Sequence, residues 1–413
     1  MDRNIRVLGL GMAARSFGAA LYFPFLALFL RASLGLGYLE IGVLFFAVGL
    51  LQLPFNLLGG LATDRVGRRN LMIIGLLGEA VATLALAYSF ALRSLPGAIV
   101  AATAGGMITT VAGPAFSAYI ADFASETDRA RGFTWARVGF NAGFSAGVTM
   151  GGVLVVAIGF PWAVGIGAAV IFGVAGVMAG LLASSPFDLV NAAGDAQGLP
   201  RAPTQGGRSF SESLRILRKD RPSLEVALAF AFASLAVAQW SVIFPLFVQN
   251  DLGVPYYLLG VGLALNGLVV VFGQTWTTES VVGRRHTRVA EVGLVLYVVA
   301  FVGLGVAGKL GLFPVVAFFV AVFILTIGEN LLSIPQSTLP SNLAPEGEVG
   351  SYNGAFGAIT SAGFLFSILI GTAVLSLTTD PLVIWGILMA PAVPALVLLR
   401  HSAALIPPRA DRI

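Results

Sequence analysis

The stretch "LGGLATDRVGRRN", residues 58–70, places Asp64, Arg65, Arg68 and Arg69 within six residues. Long apolar runs lie on both sides of it, and only 11% of the 413 residues of the chain are charged. A soluble domain carries about 25% charged residues. The low charge content therefore excludes an ordinary water-exposed surface and indicates bilayer-spanning segments of about 20 apolar residues, joined by short charged loops.

Apolar runs bounded by charged or turn residues predict twelve transmembrane helices, numbered here as spans 1 to 12. The runs do not alternate as barrel strands do, and a helix satisfies its own backbone hydrogen bonds in hydrocarbon. The first run is longer than the apolar region of a signal peptide. The predicted fold class is an all-α membrane protein with spans at 7–30, 39–61, 70–91, 95–120, 136–158, 161–183, 224–249, 257–281, 289–307, 312–338, 351–376 and 380–399.

The distribution of basic residues predicts that both chain ends lie in the cytoplasm of a multi-pass cell-membrane protein. Only Arg31, Arg93 and Lys309 fall in outer loops, and Arg15 lies within span 1. The other 20 of the 24 Lys and Arg residues lie on the inner side, among them the arginines at 3, 6, 65, 68, 69, 284, 285 and 288. This asymmetry accounts for the net charge of +4 without nucleic acid as a partner.

Composition and weak repeats predict two six-helix halves, residues 1–183 and 223–413. The polar residues 184–222 between them are rich in Gly, Pro, Ser and Arg and read as a cytoplasmic linker, in which "SFSESLRILRKD" is a candidate surface helix. The pattern "YFPFLALFL" (22–30) returns as "IFPLFVQ" (243–249), and "VGRR" (66–69) returns at 282–285. Two repeats in the same orientation are typical of transporters with parallel halves.

Residues 60–69, "GLATDRVGRR", resemble the loop motif between helices two and three of the major facilitator superfamily. The resemblance covers essentially the whole chain and implies two pseudo-symmetric six-helix bundles. It also implies a cytoplasmic gate formed by Asp64, Arg68 and an acid at the end of helix four, for which Asp122 fits. For Arg65 and Arg69 we favour a simple role as positive anchors. The matching positions are Gly60, Asp64, Arg65, Gly67, Arg68 and Arg69.

Elementary geometry gives this loop a physical interpretation. Asp64 and Arg68 are four residues apart and would interact on a continuing helix. Gly67 permits a turn, and Gly60 permits close helix packing. We also expect Glu279 and Glu291 to pair with the arginines of the second "VGRR", and His286 and His401 to lie in solvated loops.

Span 5 contains "GFSAGVTMGG", residues 143–152, which is similar to a glycine-rich motif of drug/proton antiporters. Small residues at four-residue spacing form a flat stripe for close helix packing. Val148 stands where that family has proline, which removes a predicted kink. Residues 328–354 resemble a pattern of many bacterial exporters, with Val349 in place of the usual arginine, and span 4 lacks the family's usual arginine. The packing glycines are Gly143, Gly147, Gly151 and Gly152.

Span 10 carries polar side chains at three- and four-residue steps, which place them on one face. Glu329 is a carboxylate inside a span, where a charge costs about 2.5–3.5 kcal/mol on insertion scales. It is the first candidate for proton coupling, and Glu79 in span 3 is the second; a structural hydrogen bond is the alternative. The polar face comprises Thr326, Glu329, Asn330, Ser333, Gln336 and Ser337.

Arg15 lies about 13 Å into span 1, at 1.5 Å per residue, and needs an anion or water there. We consider pairing with Glu329, anchoring of an anionic substrate, or snorkelling to the membrane surface; Glu79 is expected to pair within its half or to mark a side portal. Other polar or aromatic residues are expected to line the substrate cavity with Arg15. They are Tyr22, Gln52, Asn56, Gln239, Trp240, Asn266, Asn330, Ser333 and Gln336.

These features predict a secondary active transporter that works by alternating access. Proton-coupled export of small amphipathic molecules is the first hypothesis, and proton-coupled uptake of a sugar or organic anion is the alternative. Channel and enzyme functions are less favoured, since no catalytic constellation is visible, and the absence of cysteine excludes thiolate sites. We expect a monomer without cofactor or metal, whose partners are a small-molecule substrate, the proton and the lipid bilayer.

Overall fold

The computed structural model describes residues 2–124, 129–190, 215, 217–345 and 349–413. Within these ranges the regular structure is helical, with one isolated β-bridge between Arg285 and Arg412. The prediction of an all-α membrane protein with twelve transmembrane helices is confirmed. The helices of spans 1 to 6 are Arg3–Ala20 with Leu26–Leu34, Tyr38–Val66, Arg68–Ala91, Leu95–Phe123, Arg129–Ala157 and Phe160–Leu181. Those of spans 7 to 12 are Arg221–Val237 with Ile243–Asn250, Tyr256–Val281, His286–Leu310, Pro314–Leu343, Val349–Leu377, and Pro381–Met389 with Ala392–Leu405.

Several helices extend beyond the predicted apolar runs. Span 2 was expected to end at residue 61, whereas its helix continues to Val66, and span 5 begins seven residues earlier than expected, at Arg129. Hydropathy detects only the part of a helix that lies in hydrocarbon, while backbone hydrogen bonds carry the helix into the charged loop. The candidate surface helix at 209–220 falls mostly outside the described residues.

The chain divides into two compact units. Unit 1 comprises Met1–Gly35 and Ala47–Gln205, and unit 2 comprises Leu36–Phe46 and Gly206–Ile413. In unit 1, span 1 packs on spans 5 and 6, and span 3 packs on spans 4 and 6. In unit 2, span 7 packs on spans 11 and 12, and span 9 packs on spans 10 and 12. The same helix pairs therefore recur six spans later, which is what an internal repeat would produce.

The first span of each unit is interrupted in the same way. In span 1 a 3₁₀ turn at Phe23–Phe25 separates two α-helical pieces, and in span 7 a 3₁₀ turn at Ala238–Trp240 does so. The aligned prolines Pro24 and Pro245 lie at or just after these breaks. Proline lacks the amide hydrogen that a helix interior uses. Its recurrence therefore explains why both spans are interrupted at a similar position along their own length.

Aromatic rings fill the space beyond both breaks. In unit 1, Phe29 stacks on Phe160 with ring centroids 4.1 Å apart, and both rings contact Phe90 edge-on. In unit 2 a matching cluster joins spans 7, 9 and 12, and its most closely stacked rings are 4.5 Å apart. Its members are Phe247, Phe301 and Trp385. The repeat is thus present in side-chain packing as well as in helix order.

Glycines of span 5 lie directly against the backbone of span 1. A side-chain carbon built on Gly143, Gly147 or Gly151 would lie 1.9–2.4 Å from a carbonyl oxygen of span 1. Those oxygens belong to Ala13, Phe17 and Leu21, which are likewise four residues apart. Gly152 is buried beside them, and the helix runs through Val148 to Ala157. The stripe predicted from sequence is therefore a backbone-to-backbone contact within unit 1.

We predict that Gly147→Ala lowers the free energy of unfolding, because the added carbon meets the Phe17 carbonyl oxygen at 2.4 Å. Overpacking of this kind costs about 1–3 kcal/mol. Gly173→Ala is the matched control, since a side-chain carbon there has no described atom within 4 Å. The measurement is the melting temperature of each purified variant in detergent. Equal melting temperatures for both variants would contradict the proposed contact.

Lys309 and Asp380 form an ion pair between the end of span 9 and the start of span 12. The Asp380 carboxylate also accepts hydrogen bonds from the backbone of Leu382 and Val383. The hydrogen bond from Lys309 is the main cause that holds the pKa of Asp380 below its usual value. A carboxyl with a lowered pKa stabilises the fold above its unfolded pKa and loses that contribution as the pH falls through the folded value.

We therefore predict that Asp380→Asn lowers the melting temperature at neutral pH and has a smaller effect at pH values below the usual aspartate pKa of about 3.9. The measurement is a melting curve in detergent at both pH values. A decrease that is equally large under both conditions would show that charge plays no part in this contact.

Candidate functional site

The loop between spans 2 and 3 turns at Gly67, whose φ of +91° is a conformation that glycine adopts without strain. The helix of span 2 ends at Val66 and the next helix begins at Arg68. The helix therefore does not continue from Asp64 to Arg68, and the turn lies at Gly67, as expected. The side chains of Asn56 and Asp64, and the surroundings of Gly60, lie outside the described residues.

Arg68 forms an ion pair with Asp122 at the end of span 4, as the family resemblance implies. Its guanidinium also donates to the carbonyl oxygen of Ala118 at 3.3 Å and lies 4.0 Å from the centre of the Phe187 ring. Both charged side chains are largely buried, with 14% and 13% exposed. The contact therefore fixes the start of span 3 against the end of span 4 within unit 1.

Arg69 does more than anchor the loop to the membrane surface. Its side chain donates to the carbonyl oxygens of Leu182, at 2.8 Å, and Ala179, at the end of span 6. The carboxylate of Asp188 accepts hydrogen bonds from the backbone N–H groups of Arg68 and Arg69, at 2.8 and 3.2 Å. An acid at a helix N-terminus and a cation at a helix C-terminus both complement the helix dipole. Arg65 is exposed, in keeping with an anchoring role.

The second "VGRR" builds the same kind of junction in unit 2. Gly283 has a φ of +77°, and the Arg285 side chain bonds the carboxylate of Asp411 at 2.6 Å and the carbonyl oxygen of Ala403. Asp411 also accepts from the backbone N–H of Thr287 at 2.9 Å, close to the start of span 9. Each unit thus joins its third helix to the segment after its sixth through one arginine and one acid.

Two expectations about this junction are wrong. Arg285 pairs with Asp411 and not with Glu279 or Glu291, because the chain after span 12 folds back to the loop. Glu291 instead pairs with two other arginines. Its oxygen Oε2 lies 2.7 Å from Nη1 of Arg288 and 3.6 Å from Nε of Arg400.

The two histidines lie in different surroundings. His286 is only 2% exposed, and its ring contacts Thr338 and Asn342 of span 10, so the expected solvated loop position is wrong. The first turn of span 9 packs on span 10 and buries that ring. His401 is exposed, as expected, but it lies in the helix Ala392–Leu405 rather than in a loop, and its ring nitrogen Nδ1 lies 2.6 Å from Oε2 of Glu225.

Unit 1 contains an ion pair between two membrane spans. The side-chain nitrogen Nε of Arg15 in span 1 lies 2.6 Å from Oε2 of Glu79 in span 3, and these side chains are 24% and 9% exposed. Arg15 also lies 5.9 Å from the centre of the Phe116 ring. Arg15 thus has a counter-ion within its own unit, and Glu79 pairs within its half, as one of the expectations held.

Unit 2 contains the second acid, Glu329, in the middle of span 10. The side-chain amide of Asn266 in span 8 donates to Glu329 at 2.8 Å and to the hydroxyl of Thr326 at 3.0 Å. Asn330 donates to the carbonyl oxygen of Val269, also in span 8, at 3.3 Å. Part of the polar face of span 10 thus forms hydrogen bonds with span 8. Glu329 lies at the edge of this contact and is partly exposed.

Four residues expected in a substrate cavity are buried in contacts within a unit. The Tyr22 hydroxyl lies 3.3 Å from that of Thr83, and the Gln239 amide donates to the carbonyl oxygens of Leu235 and Ser367. These helix contacts pair the Tyr22 hydroxyl and the Gln239 amide nitrogen, which lipid would leave unpaired, whereas the Gln239 side-chain oxygen has no hydrogen-bond partner among the described residues. The four are Tyr22, Gln239, Asn266 and Asn330, each at most 9% exposed.

The remaining cavity candidates are partly exposed. Gln52 lies beside Gly106 of span 4, and the Trp240 ring lies 4.8 Å from that of Phe244. Ser333 donates to the backbone carbonyl oxygen of Asn330 at 2.9 Å, and Gln336 is half-buried. Among the described residues there is no group of three His, Cys, Asp or Glu side chains suited to a metal ion.

The family model described as Major Facilitator Superfamily matches residues 8–368, which is most of the chain. The chain belongs to the major facilitator superfamily. It is accordingly a multi-pass membrane protein of a transporter family that moves small molecules, and the resemblance read from the "GLATDRVGRR" loop is confirmed.

Curated relatives include other superfamily members. The MFS-type transporter YttB of Bacillus subtilis is 25% identical over 90% of this chain and 88% of its own length. A Na⁺, Li⁺, K⁺/H⁺ antiporter of Planococcus maritimus is 26% identical over 85% of this chain and 84% of its own. The quinolone resistance protein NorA of Staphylococcus aureus is 28% identical, but over only 37% of this chain and 39% of its own.

Among solved structures, a D-xylose–proton symporter has the same fold. Its TM-score is 0.76 at 13% identity, and the match covers 99% of both chains. Identity this low shows the shared major facilitator fold and carries no information about substrate.

Sequence reasoning missed Asp188 and Asp411. Asp188 lay in a segment read as a linker, yet it follows span 6 directly in "SSPFD", and residues 186–190 are helical. The signal was available, because an acid shortly after the sixth helix of each half parallels the repeated "VGRR". The distance along the chain, 120 residues between Asp188 and Arg68, concealed the contact.

We predict that Glu79→Gln destabilises unit 1, because it leaves the Arg15 guanidinium without its counter-ion. Breaking one side of a buried ion pair costs about 3–5 kcal/mol, whereas replacing both partners with apolar residues is often tolerated. The double variant Arg15→Met/Glu79→Met should therefore be more stable than the single variant. The measurement is unfolding in detergent, with exposed Arg3→Met as control. Arg15→Met and Glu79→Met are also measured alone. Additive effects of these two changes in the double variant would contradict the pairing.

Proposed function

We propose that this superfamily member is a secondary active transporter that exports small amphipathic molecules in exchange for protons. The observation that carries the proposal is Glu329, a carboxyl group within span 10 that is partly exposed and bonded by the amide of Asn266. An acid inside a membrane span is costly and is by default a functional residue.

Export is supported by two kinds of similarity. The glycine stripe of span 5 is similar to the drug/proton antiporter motif, and two relatives are a cation/proton antiporter and, over part of the chain, a quinolone resistance protein. In this proposal Glu329 exchanges the proton, and the partly exposed Trp240 and Gln336 of unit 2 contact the substrate. The proposal includes a monomer in the cell membrane with both termini in the cytoplasm.

Uptake of a sugar or organic anion remains the second candidate, and Arg15 was the residue that suggested it. The ion pair between Arg15 and Glu79 weakens that suggestion, because the guanidinium already has a carboxylate partner at 2.6 Å. An anionic substrate could bind the Arg15 guanidinium only by displacing the Glu79 carboxylate.

For the cytoplasmic gate, we propose that the contact between Arg68 and Asp122 closes and opens during alternating access. The turn at Gly67 holds Arg68 at the start of span 3, where the Asp188 carboxylate accepts from its backbone N–H. The side chain is then free to exchange partners without unwinding the helix. Asp64 joins the gate by family resemblance alone.

We predict that Glu329→Gln abolishes exchange of substrate for protons while the protein stays folded and inserted. Everted membrane vesicles are energised, and collapse of the pH gradient on addition of ethidium or a quinolone is followed with a pH-sensitive dye. The control is Glu279→Gln, the same change at an exposed acid of span 8. Unchanged exchange by Glu329→Gln would move the proton site elsewhere, and Glu79→Gln is then the next variant to measure.

Direction and substrate class are tested separately in cells. Overproduction should raise resistance to the same compounds, and the purified protein should show saturable counterflow in proteoliposomes. Uptake of a sugar or organic acid without any change in resistance would favour the second candidate. Flux that does not saturate would indicate a pore.

A further inference from the structure

The exposed apolar side of unit 1 contains an open groove between spans 3 and 4, with a volume of about 900 Å³. This lies within the range of roughly 300–1,000 Å³ that is usual for small-molecule sites. The walls of the groove that face outward are formed by large, well exposed side chains, including Val81, Tyr88 and Val100. Its floor is made of small residues, among them Gly78, Ala82, Ala101 and Ala104.

The groove exists because the two helices touch near both of its ends and carry small residues between. A side-chain carbon on Gly75 would lie 2.3 Å from that of Ala112, and one on Gly97 would lie 2.7 Å from the Ser89 hydroxyl. These close approaches hold the helices together. Between them, alanine and glycine cannot fill the space that large side chains occupy elsewhere on the lipid-facing surface.

Within the membrane, only an apolar chain can occupy such a groove without leaving polar groups unpaired. Ile74 and Ser89, which line its two ends on span 3, are 15 residues apart, or about 22 Å at 1.5 Å per residue. One leaflet contributes about half of a hydrocarbon core of roughly 30 Å. The groove is therefore long enough for an acyl chain of one leaflet.

A cation lies at the end of the groove. Arg93 is in the tight turn between the lining residues Ser89 and Gly97, and its side chain is exposed. Within the described part of the chain, no acidic side chain is paired with it. Its backbone φ of +53° is unusual for a residue other than glycine. The turn places Arg93 just after the end of span 3, beyond the apolar part of the groove.

We propose that the groove between spans 3 and 4 binds a membrane phospholipid, with one acyl chain between the helices and the phosphate at Arg93. The apolar lining selects the chain, and the unpaired guanidinium complements a phosphate, which it can bond through two N–H groups. A phospholipid combines a long apolar chain with an anionic phosphate at the level of the surface. The bound lipid would stabilise the pairing of spans 3 and 4 in unit 1.

The test measures lipid binding by the full-length protein purified in mild detergent. Dioleoyl phosphatidylglycerol and dioleoylglycerol, which lacks the phosphate, are added in separate titrations. Binding is read as lipid mass retained in native mass spectrometry and as a rise in melting temperature, since a ligand of the folded state stabilises it. Both lipids should bind, and the phosphate-bearing lipid should bind more tightly.

Two variants separate the groove from the charge. Ala85→Phe fills the groove from an exposed position and should reduce binding of both lipids. Arg93→Gln should weaken the binding of phosphatidylglycerol by about fivefold, which is the effect of one cation near a membrane surface. The binding of dioleoylglycerol should stay unchanged. Gly173→Phe adds comparable bulk to a position of span 6 with open space around it and serves as control, as does Arg3→Gln for charge.

Unchanged phosphatidylglycerol binding by Ala85→Phe would overturn the proposal. So would equal binding of the two lipids by the unmodified protein, which would show that the phosphate is not recognised. A dimer that dissociates in Ala85→Phe would assign the groove to a second copy of the chain. Displacement of the lipid by ethidium or a quinolone would assign it to substrate entry instead.

Discussion

Close approach of helix backbones is the constraint on which this structure depends. Lipid tails are as apolar as leucine, so burial of apolar surface does not drive two spans together, and packing must come from small residues and polar contacts. The glycines of span 5 provide it in unit 1, where a single added carbon would meet the carbonyl oxygens of span 1. In unit 2, Gly293 and Gly328 do the same for spans 9 and 10, because each would meet the other's backbone.

The two units share this scaffold but differ in their polar groups. Arg68 and Asp122 form an ion pair in unit 1, whereas the corresponding surfaces of spans 9 and 10 in unit 2 meet through His286 and Asn342. Deep in the membrane, unit 1 has a cation paired with Glu79, while Glu329 of unit 2 is bonded by an amide. The duplicated scaffold therefore carries different polar groups in its two halves.

The twelve spans and the glycine stripe were predictable, because hydropathy and residue size act locally along the chain. Contacts between distant segments were not. Asp411 pairs with Arg285 across 126 residues, and the pairing of Arg15 with Glu79 depends on which helices are neighbours. The turn at Gly67 was predictable from the glycine, but the partners of the Arg68 and Arg69 side chains beyond it were not. Sequence periodicity assigns a residue to a helix face, and only packing decides what that face meets.

The two acids inside membrane spans differ in their partners, and this difference bears on the proposal that Glu329 is the proton site. Arginine keeps its proton at any physiological pH, so protonating Glu79 would leave the Arg15 guanidinium without compensation between spans 1 and 3. That state would require a second anion or a large movement of the side chain. Protonating Glu329 leaves no charge on the amide of Asn266, which can rotate to offer its oxygen to the new O–H group. The hydrogen bond between Asn266 and Glu329 can therefore form in both protonation states, as the proposal of Glu329 as the proton site requires.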